Sequence, residues 1–247
     1  TDLEEMAATD KIDAVYIASP NKLHIEQARV FLEHGKHVIC EKPLSAHAKD
    51  VAELQALAKE RGLIYLEAIM FMHLPQRKLL EEALKKIGNI SVAKIDFCQR
   101  SSKYDAYLAG SLPNIFNPAL ETGALMDLGV YCVYPALYLF GKPQNTLAVS
   151  HLLASGADGS DIVAMQYPDK LVNLVFSKVG QAGANTDFQG TNGTVSVESI
   201  SKLANISIRY NNGTVEEVCG EEEKFKLMGY EAKDFYRYIT EPEASRA

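Results

Sequence analysis

Two segments of the sequence carry residue types that could do chemistry. Lys42 stands in the run Glu41-Lys42-Pro43, directly after a short apolar stretch that predicts a β-strand. Asp127 is the single charge in an otherwise apolar helical stretch, and Tyr131 follows four residues later, so that both side chains rise from one helix face. An ammonium, a carboxylate and a phenol are groups that orient ligands and move protons, which makes these residues the candidate site.

The position of each residue leaves two interpretations open. Ligands of open α/β sheets bind outside the carboxyl ends of the strands, and Pro43 determines where Lys42 emerges from its strand. An exposed loop lysine is the alternative. A lone carboxylate in an apolar helix needs a partner, so Asp127 is either part of a site or a structural residue bonded to a backbone group, an Arg or a Lys. Tyr131 could equally be a core aromatic residue.

Alternation of strands and helices in the first third of the chain predicts a parallel sheet. Short, almost entirely apolar runs predict strands at 14–18, 37–40 and 63–70. Helical spacing predicts a helix over 23–34, which Gly35 ends, and a long helix that Ser45 opens and Gly62 ends. Short links between such elements are typical of right-handed crossovers.

The remainder of the chain predicts an α+β domain on a mainly antiparallel sheet. A further helix at about 76–87 precedes an alternating run at 91–99, and strands with turns follow from Asn145 onward. Candidate tight turns are Asp158-Gly159, Asn192-Gly193 and Asn212-Gly213. The segment 171–179 is apolar on both faces, so we expect helices to cover one face and another subunit to be a candidate for the other.

Composition excludes several classes of protein. The 247 residues include 25 basic and 32 acidic ones, and a net charge of −7 argues against a nucleic-acid binder. No apolar stretch is long enough to span a membrane. The four cysteines, at 40, 98, 132 and 219, are isolated from one another and predict reduced thiols in a cytoplasmic protein. His34, His37 and Cys40 are three apart but lack a fourth ligand, so we predict no metal site.

Several motifs, in order and suitably spaced, together resemble the glucose–fructose oxidoreductase/inositol dehydrogenase/MocA family. They are Ser19-Pro20-Asn21 with His24, Glu41-Lys42-Pro43, Glu67-Ala68 and the run from Gly123 to Tyr131. Within the family, Tyr131 and the run 104–120 look most similar to the dimeric dihydrodiol dehydrogenase and xylose dehydrogenase branch. The resemblance implies the C-terminal half of a Rossmann-like parallel sheet over residues 1–69, which is a partial dinucleotide-binding domain. It implies an open-sheet α+β domain for substrate binding and dimerisation over residues 70–247.

The resemblance also implies an activity, namely hydride transfer between NAD or NADP and a sugar, a polyol or a dihydrodiol. Tyr131 would be the general acid/base, Lys42 would contact the substrate hydroxyl and the nicotinamide ribose, and Asp127 would orient the substrate. A close lysine would favour the phenolate and lower the pKa of Tyr131 from its usual value near 10. The cofactor crevice would be lined by Ser19, Pro20, Asn21, His24, Glu41 and Lys42, and His73 would join the substrate contacts. We expect a small-molecule substrate and a homodimer formed through the open sheet.

One departure from the family pattern is large. No two glycines are separated by a single residue, so the phosphate-binding turn G-x-G-x-x-G is absent from this sequence. We expect the first strand–helix–strand of the nucleotide domain and a C-terminal tail to be missing from the chain. A non-catalytic relative, or a binding or dimerisation fragment without cofactor binding, remains the alternative. Tyr138 and Lys142 fit the Tyr-x-x-x-Lys pattern of short-chain dehydrogenases, but Gly141 ends the helix between them.

Overall fold

The computed structural model describes residues 2–241 and 243, and this part of the chain divides into two units. The first unit runs up to Ile69 and also contains Ala119–Glu121 and the chain from Met228 onward. The second unit contains Met70–Pro118 and Thr122–Leu227.

The first unit is built on three parallel strands joined by helices. Its elements up to residue 69 are α1 (Leu3–Ala8), β1 (Ala14–Ile17), α2 (His24–Glu33), β2 (His37–Glu41), α3 (Ala48–Glu60) and β3 (Tyr65–Ala68). The strands pair in the order β1-β2-β3, both pairs parallel. The predicted α/β alternation is therefore confirmed.

One predicted helix start is wrong by three residues. Helix α3 begins at Ala48, not at Ser45. The hydroxyl of Ser45 accepts the amide of His47 at 3.0 Å, which makes a local turn instead of capping the helix. Gly35 ends α2 as predicted, with a φ of 74° that a residue with a side chain seldom adopts.

Helices α2 and α3 supply half of the buried residues in the larger apolar cluster of the first unit. Phe31 and Leu32 of α2 and Leu54 of α3 pack with Val38 and Cys40 of β2. Ile39 of β2 and Ala68 of β3 instead pack with Phe235, which comes from the last helix of the chain. Because successive strand residues point to opposite faces, β2 is covered on both sides.

The second unit is built on eight strands. Its elements are α4 (Gln76–Lys86), β4 (Ile90–Cys98), α5 (Tyr104–Leu108), α6 (Val130–Phe140), β5 (Asn145–Leu152), β6 (Asp158–Gln166), β7 (Leu171–Ser177), β8 (Thr186–Gly190), β9 (Gly193–Ser199), β10 (Ala204–Tyr210) and β11 (Val215–Cys219). The last helix, α7 (Lys224–Thr240), follows them. The strand order is β11-β10-β9-β8-β4-β7-β6-β5, and within the described part of this sheet β4–β7 is the one parallel pair. The predicted mainly antiparallel sheet is confirmed.

The two faces of this sheet differ in exposure. Val172, Leu174 and Phe176 alternate along β7 and are buried. The opposite face carries exposed apolar side chains on β5, β6 and β7, namely Leu147, Val149, Ile162 and Leu171. In the described part of the chain, the face formed by these side chains of β5, β6 and β7 is therefore exposed.

Asp158-Gly159 is not the tight turn that the sequence predicted. The turn lies earlier, where Leu153 and Ala157 share a backbone hydrogen bond of 2.8 Å and Gly156 has a φ of 89°. Leu152 pairs with Asp158 and His151 pairs with Ser160, so Gly159 is the extra residue of a β-bulge. An Asp-Gly dipeptide can form a tight turn, but the register of β5 and β6 places this one in a β-bulge.

Close packing at Gly129 generates a stability prediction. A Cβ atom at this position would lie 2.7 Å from the ring of Phe176, so Gly129→Ala requires the ring or the helix to shift. We expect a loss of about 1–3 kcal/mol in the free energy of unfolding, measured by urea denaturation. Gly183→Ala is the matched control because no atom lies within 4 Å of its new Cβ. Equal stability of the two variants would contradict close packing at Gly129.

Candidate active site

Lys42 lies at the carboxyl end of β2, in a loop that a partly buried carboxylate holds. The Lys42–Pro43 peptide bond is cis, and the next amide, that of Leu44, donates to Glu67 Oε1 at 3.0 Å. Burial raises the pKa of Glu67, while the Leu44 amide and the Lys42 ammonium act in the opposite direction. Glu67, at the end of β3, thus fastens the loop that presents Lys42.

His24 fastens the same loop from the other side. Its side chain is fully buried, with Nδ1 2.8 Å from the carbonyl oxygen of Pro43 and Nε2 2.8 Å from that of Ser19. Both ring nitrogens are therefore occupied by backbone groups at the ends of β1 and β2. This arrangement makes His24 a positioning residue, and its predicted contact with a cofactor stays a prediction.

The segment Ser19-Pro20-Asn21 follows β1. The hydroxyl oxygen of Ser19 is buried without a hydrogen-bond partner in the described chain. Asn21 donates from Nδ2 to the carbonyl oxygen of Glu121 at 2.8 Å, and Glu121 has the left-handed φ of 57° that residues with a side chain seldom adopt. Asn21 thus holds a strained segment of the first unit.

Glu41, next to Lys42 in the sequence, interacts with two other groups of the first unit. Glu41 accepts the hydroxyl of Tyr16 at 2.6 Å. Burial, with the nearby charge of Glu41, raises the pKa of Glu231 on α7 to about 7. These contacts engage Glu41 with its own unit, and its predicted role in cofactor binding is not tested by them.

The donor set of the first unit fits one end of a nicotinamide dinucleotide. A buried hydroxyl without a partner is costly, and a ribose hydroxyl would satisfy that of Ser19. Ser19 and Lys42 both follow the carboxyl ends of neighbouring strands, where ligands of such sheets bind. The sequence has no Gly-rich turn for the pyrophosphate, so the residues present fit the ribose end alone.

Asp127 has the partner that the sequence required, and that partner is Lys178. Residues Leu125–Gly129 form a π-helical turn that continues directly into α6. The ammonium of Lys178, just beyond β7, forms an ion pair with Asp127. The side chain of Lys178 is 2% exposed and that of Asp127 is 40% exposed, so the carboxylate faces solvent while the cation does not. Such π-helical turns occur frequently at functional sites.

Sequence reasoning missed Lys178, although a signal for it was present. Lys178 closes the apolar run of β7, as Lys42 follows the apolar run of β2. Its ammonium also lies 5.7 Å from the ring centroid of Phe116, which is fully buried. A lysine held in this way cannot reach bulk water, which distinguishes it from an ordinary surface lysine.

Tyr131 lies in the first turn of α6 and is partly buried. Its ring meets that of Phe97 edge to face, with 5.6 Å between the centroids. Phe97 belongs to β4, the strand that pairs with β7. The second unit therefore brings Asp127, Tyr131 and Lys178 to the neighbouring ends of two strands and one helix.

A cavity of about 290 Å³ adjoins the ion pair. It is lined by Asp127, Leu128 and Lys178 together with residues 99–102, which are Gln, Arg, Ser and Ser. Arg100 forms two hydrogen bonds with Asp105, of 3.2 and 2.6 Å, so its charge is balanced. Amide, hydroxyl and carboxylate groups around a small cavity are suited to a molecule with several hydroxyl groups.

His73 does not line this cavity. It follows the short turn Met70–Met72 in the second unit, its amide donates to Met70 at 2.9 Å and its Nε2 atom is buried. Its predicted contact with substrate stays a prediction.

Within residues 2–241 and 243, no three His, Cys, Asp or Glu side chains are grouped so that they could hold a metal ion. The four cysteines are free, and burial raises the pKa of Cys40 and Cys98 to about 12. No helix in this part of the chain is long and apolar enough to cross a membrane.

Comparison with known proteins identifies the family. Residues 1–68 match the model of an oxidoreductase family with an NAD-binding Rossmann fold, and residues 77–196 match the C-terminal domain of the same Gfo/Idh/MocA family. The protein is thus of the class of nicotinamide-dependent oxidoreductases. The chain belongs to the Gfo/Idh/MocA family, and the predicted NAD or NADP cofactor is confirmed at the level of that family.

Two curated relatives are similar to this chain in sequence, and one solved structure is similar to it in fold. A scyllo-inositol 2-dehydrogenase (NADP(+)) of Bacillus subtilis is 43% identical over 98% of this chain and 73% of its own length. A trans-1,2-dihydrobenzene-1,2-diol dehydrogenase of Mus musculus is 30% identical over 81% of this chain and 58% of its own length. A 3-ketoreductase from Actinomadura kijaniata, in complex with NADP and TDP-benzene, is similar in fold, with a TM-score of 0.83, 24% identity and coverage of 96% of this chain and 73% of that one.

The ion pair generates a prediction for stability. Asp127→Asn leaves the buried ammonium of Lys178 without its carboxylate, and we expect a loss of about 2 kcal/mol in the free energy of unfolding. This figure lies below the range for fully buried pairs because Asp127 is 40% exposed. Adding Lys178→Met should restore most of the loss, since no charge is then buried unpaired. Urea denaturation of both single variants and the double variant measures this coupling.

Asp105→Asn is the control, because it removes a carboxylate from an exposed ion pair with Arg100. We expect it to change stability little. If Asp127→Asn behaves like this control, the pair with Lys178 is not what keeps the buried ammonium in place.

Proposed function

We propose that the protein is an NADP-dependent dehydrogenase of a cyclic polyol of the inositol type. The observation that carries the proposal is the small polar cavity beside the Asp127–Lys178 pair, in a chain of this oxidoreductase family. The scyllo-inositol 2-dehydrogenase (NADP(+)) of Bacillus subtilis, at 43% identity, supports both the substrate class and the choice of NADP.

Each of four side chains has a part in the proposed reaction. When bound, the dinucleotide supplies the nicotinamide ring that accepts the hydride. Tyr131 takes the proton of the reacting hydroxyl as general base and returns it in the reverse direction. Lys42 holds the oxygen of the same hydroxyl, and its positive charge favours the phenolate of Tyr131. Asp127 accepts a hydrogen bond from a neighbouring hydroxyl of the substrate.

Lys178 holds Asp127 in position through their ion pair and does not contact the reacting carbon. Its buried ammonium forms the ion pair with Asp127, and a carboxylate in an ion pair accepts hydrogen bonds from hydroxyl groups. The Asp127 side chain is 40% exposed and lines the cavity in which we place the substrate. A ring that carries a hydroxyl on every carbon offers a second hydroxyl next to the one that reacts.

The first test replaces the phenol of Tyr131. In the protein that carries this chain, Tyr131→Phe should lower kcat for scyllo-inositol with NADP about 100-fold or more, because proton transfer loses its general base. Absorbance of the reduced nicotinamide ring measures turnover. Lys42→Met should lower kcat/KM to a similar degree.

Tyr138→Phe is the matched control, since it removes a phenolic hydroxyl from the same helix, where that hydroxyl donates to Glu81. Its kcat should stay close to that of the unchanged protein. Full turnover by Tyr131→Phe would refute the assigned role. Turnover of trans-dihydrodiols without turnover of inositols would overturn the proposed substrate class.

A second candidate function is that of a non-catalytic binding or dimerisation protein. The absence of a Gly-rich turn from this sequence favours it. The presence of Lys42, Asp127 and Tyr131 together favours the dehydrogenase, because a binding protein has no need of a general base. Failure of the unchanged protein to oxidise any polyol, sugar or dihydrodiol would decide for the second candidate.

We further propose that the protein is a cytoplasmic homodimer joined through the open sheet face. Four exposed apolar side chains on β5, β6 and β7, Leu147, Val149, Ile162 and Leu171, offer a surface for a second copy. Antiparallel sheets with an apolar outer face are commonly covered by another layer. Free thiols suit the reducing conditions of the cytoplasm.

Light scattering tests the dimer. We expect about twice the 27.2 kDa of this chain, and Val149→Lys should shift the mass toward a monomer because a charge would be buried at the interface. Leu108→Lys, at an exposed site outside the sheet, should leave the mass unchanged. A monomer for the unchanged chain would contradict the proposal.

A further inference from the structure

The start of the helical segment that carries Asp127 and Tyr131 is bonded to Asp158 of β6, and a second aspartate of the same strand, Asp161, contacts Asp158. We propose that Asp158 and Asp161 form an acid–carboxylate pair that shares one proton, and that this pair positions the helix start. Its relevance to catalysis rests on the proposed function of Asp127 and Tyr131. The pair itself is a property of the second unit.

The β-bulge at Gly159 brings the two aspartates together. Residues three apart on a regular strand point to opposite faces. The extra residue between Asp158 and Ser160 reverses this alternation, so that the side chains of Asp158 and Asp161 meet. Gly159 has little room for a side chain, since a Cβ there would lie 2.7 Å from Leu153.

Asp158 contacts the beginning of the helical segment directly. Its Oδ2 atom accepts the amide of Leu125, the first residue of the π-helical turn, at 2.6 Å. Its Oδ1 atom lies so close to Gly123 that a Cβ at that residue would be 1.7 Å away. A carboxylate at this place satisfies an amide that the helix itself leaves unpaired.

The burial of Asp161 is the reason why the pair needs a proton. Its side chain is 6% exposed, and its buried Oδ2 atom has no hydrogen-bond donor in the described chain. Ionised carboxylates only accept hydrogen bonds, so two of them in contact repel each other unless one is protonated. One shared proton removes the repulsion and supplies the missing donor.

None of the described residues that act on Asp161 is a cation that could take the place of that proton. From β5, Ser150 faces Asp161 and bonds to it. From β7, Phe176 pairs with Asp161, and the ammonium of Lys178 is bound to Asp127. Burial, followed by the contact with Asp158, raises the pKa of Asp161 to about 6, while the bond to Ser150 acts in the opposite direction.

The bulge also reaches the Asp127–Lys178 pair. The amide of Lys178 donates to the carbonyl oxygen of Gly159 at 2.9 Å. The same few residues of β6 therefore position the backbone of Lys178 and the start of the helical segment that carries Asp127. A shift of the bulge would move both partners of the ion pair.

The first experiment measures unfolding by urea between pH 4.5 and 7.5. A pKa raised by folding stabilises the fold below the ordinary value near 4, and this stabilisation is lost as the pH rises toward 6. Relative to Asp161→Asn, which needs no proton, the folding equilibrium constant of the unchanged chain should fall up to about tenfold per pH unit to pH 6 and then level off. Compared instead with Asp169→Asn, a variant at an exposed site of the same hairpin, the unchanged chain should show no such fall.

The second experiment measures hydrogen exchange at the Leu125 amide. Asp158→Ala should raise its exchange rate at least tenfold, while Asp158→Asn, which keeps an acceptor oxygen, should restore most of the protection. If the variants fail to fold, a ¹³C NMR titration of the aspartate carboxyls in the unchanged chain should find one that titrates near pH 6.

A constant difference between the unchanged chain and Asp161→Asn across this pH range would overturn the shared proton. Unchanged exchange at Leu125 in Asp158→Ala would overturn the positioning role. None of these measurements depends on turnover, so absence of dehydrogenase activity would refute the proposed function and leave the acid pair standing.

Discussion

The burial of the Lys178 ammonium is the constraint on which the second unit depends. An ammonium that is 2% exposed must have a carboxylate beside it, and Asp127 supplies one. For Asp127 to reach Lys178, the π-helical turn must lie against β7. This close approach requires a glycine at position 129, because a Cβ atom there would clash with the ring of Phe176. The bulge of β6 is bonded to the elements that carry both partners of the ion pair: Asp158 accepts the Leu125 amide at the helix start, and the carbonyl oxygen of Gly159 accepts the Lys178 amide.

The first unit handles its buried polar groups in a similar way. Lys42 follows an apolar strand, and the loop that presents it is bonded to the buried His24 and the partly buried Glu67. Neither of these side chains needs to contact a ligand in order to matter, because each holds backbone at the end of a strand. In both units, a lysine just beyond an apolar strand is accompanied by polar side chains that other elements bring to it.

Local patterns predicted the strands, most helices, the mainly antiparallel sheet and the need of Asp127 for a partner. They did not identify Lys178, because the pairing of residues 127 and 178 depends on how β7 packs against a helical segment far away in sequence. The bulge at Gly159 was also missed, since Asp-Gly permits a turn and only the pairing with β5 decides otherwise. Likewise, the hydroxyl of Ser45 could cap a helix or close a local turn, and it closes a turn.

The central claim is that Lys42 and Tyr131 act on one hydroxyl group. A crystal structure of the protein that carries this chain, with NADP and scyllo-inositol bound, tests it most directly. We expect the ammonium of Lys42 and the phenol of Tyr131 to lie within about 3 Å of the same substrate oxygen, with Asp127 bonded to its neighbour. A substrate oxygen that contacts only one of the two groups, with the other directed elsewhere, would contradict the claim.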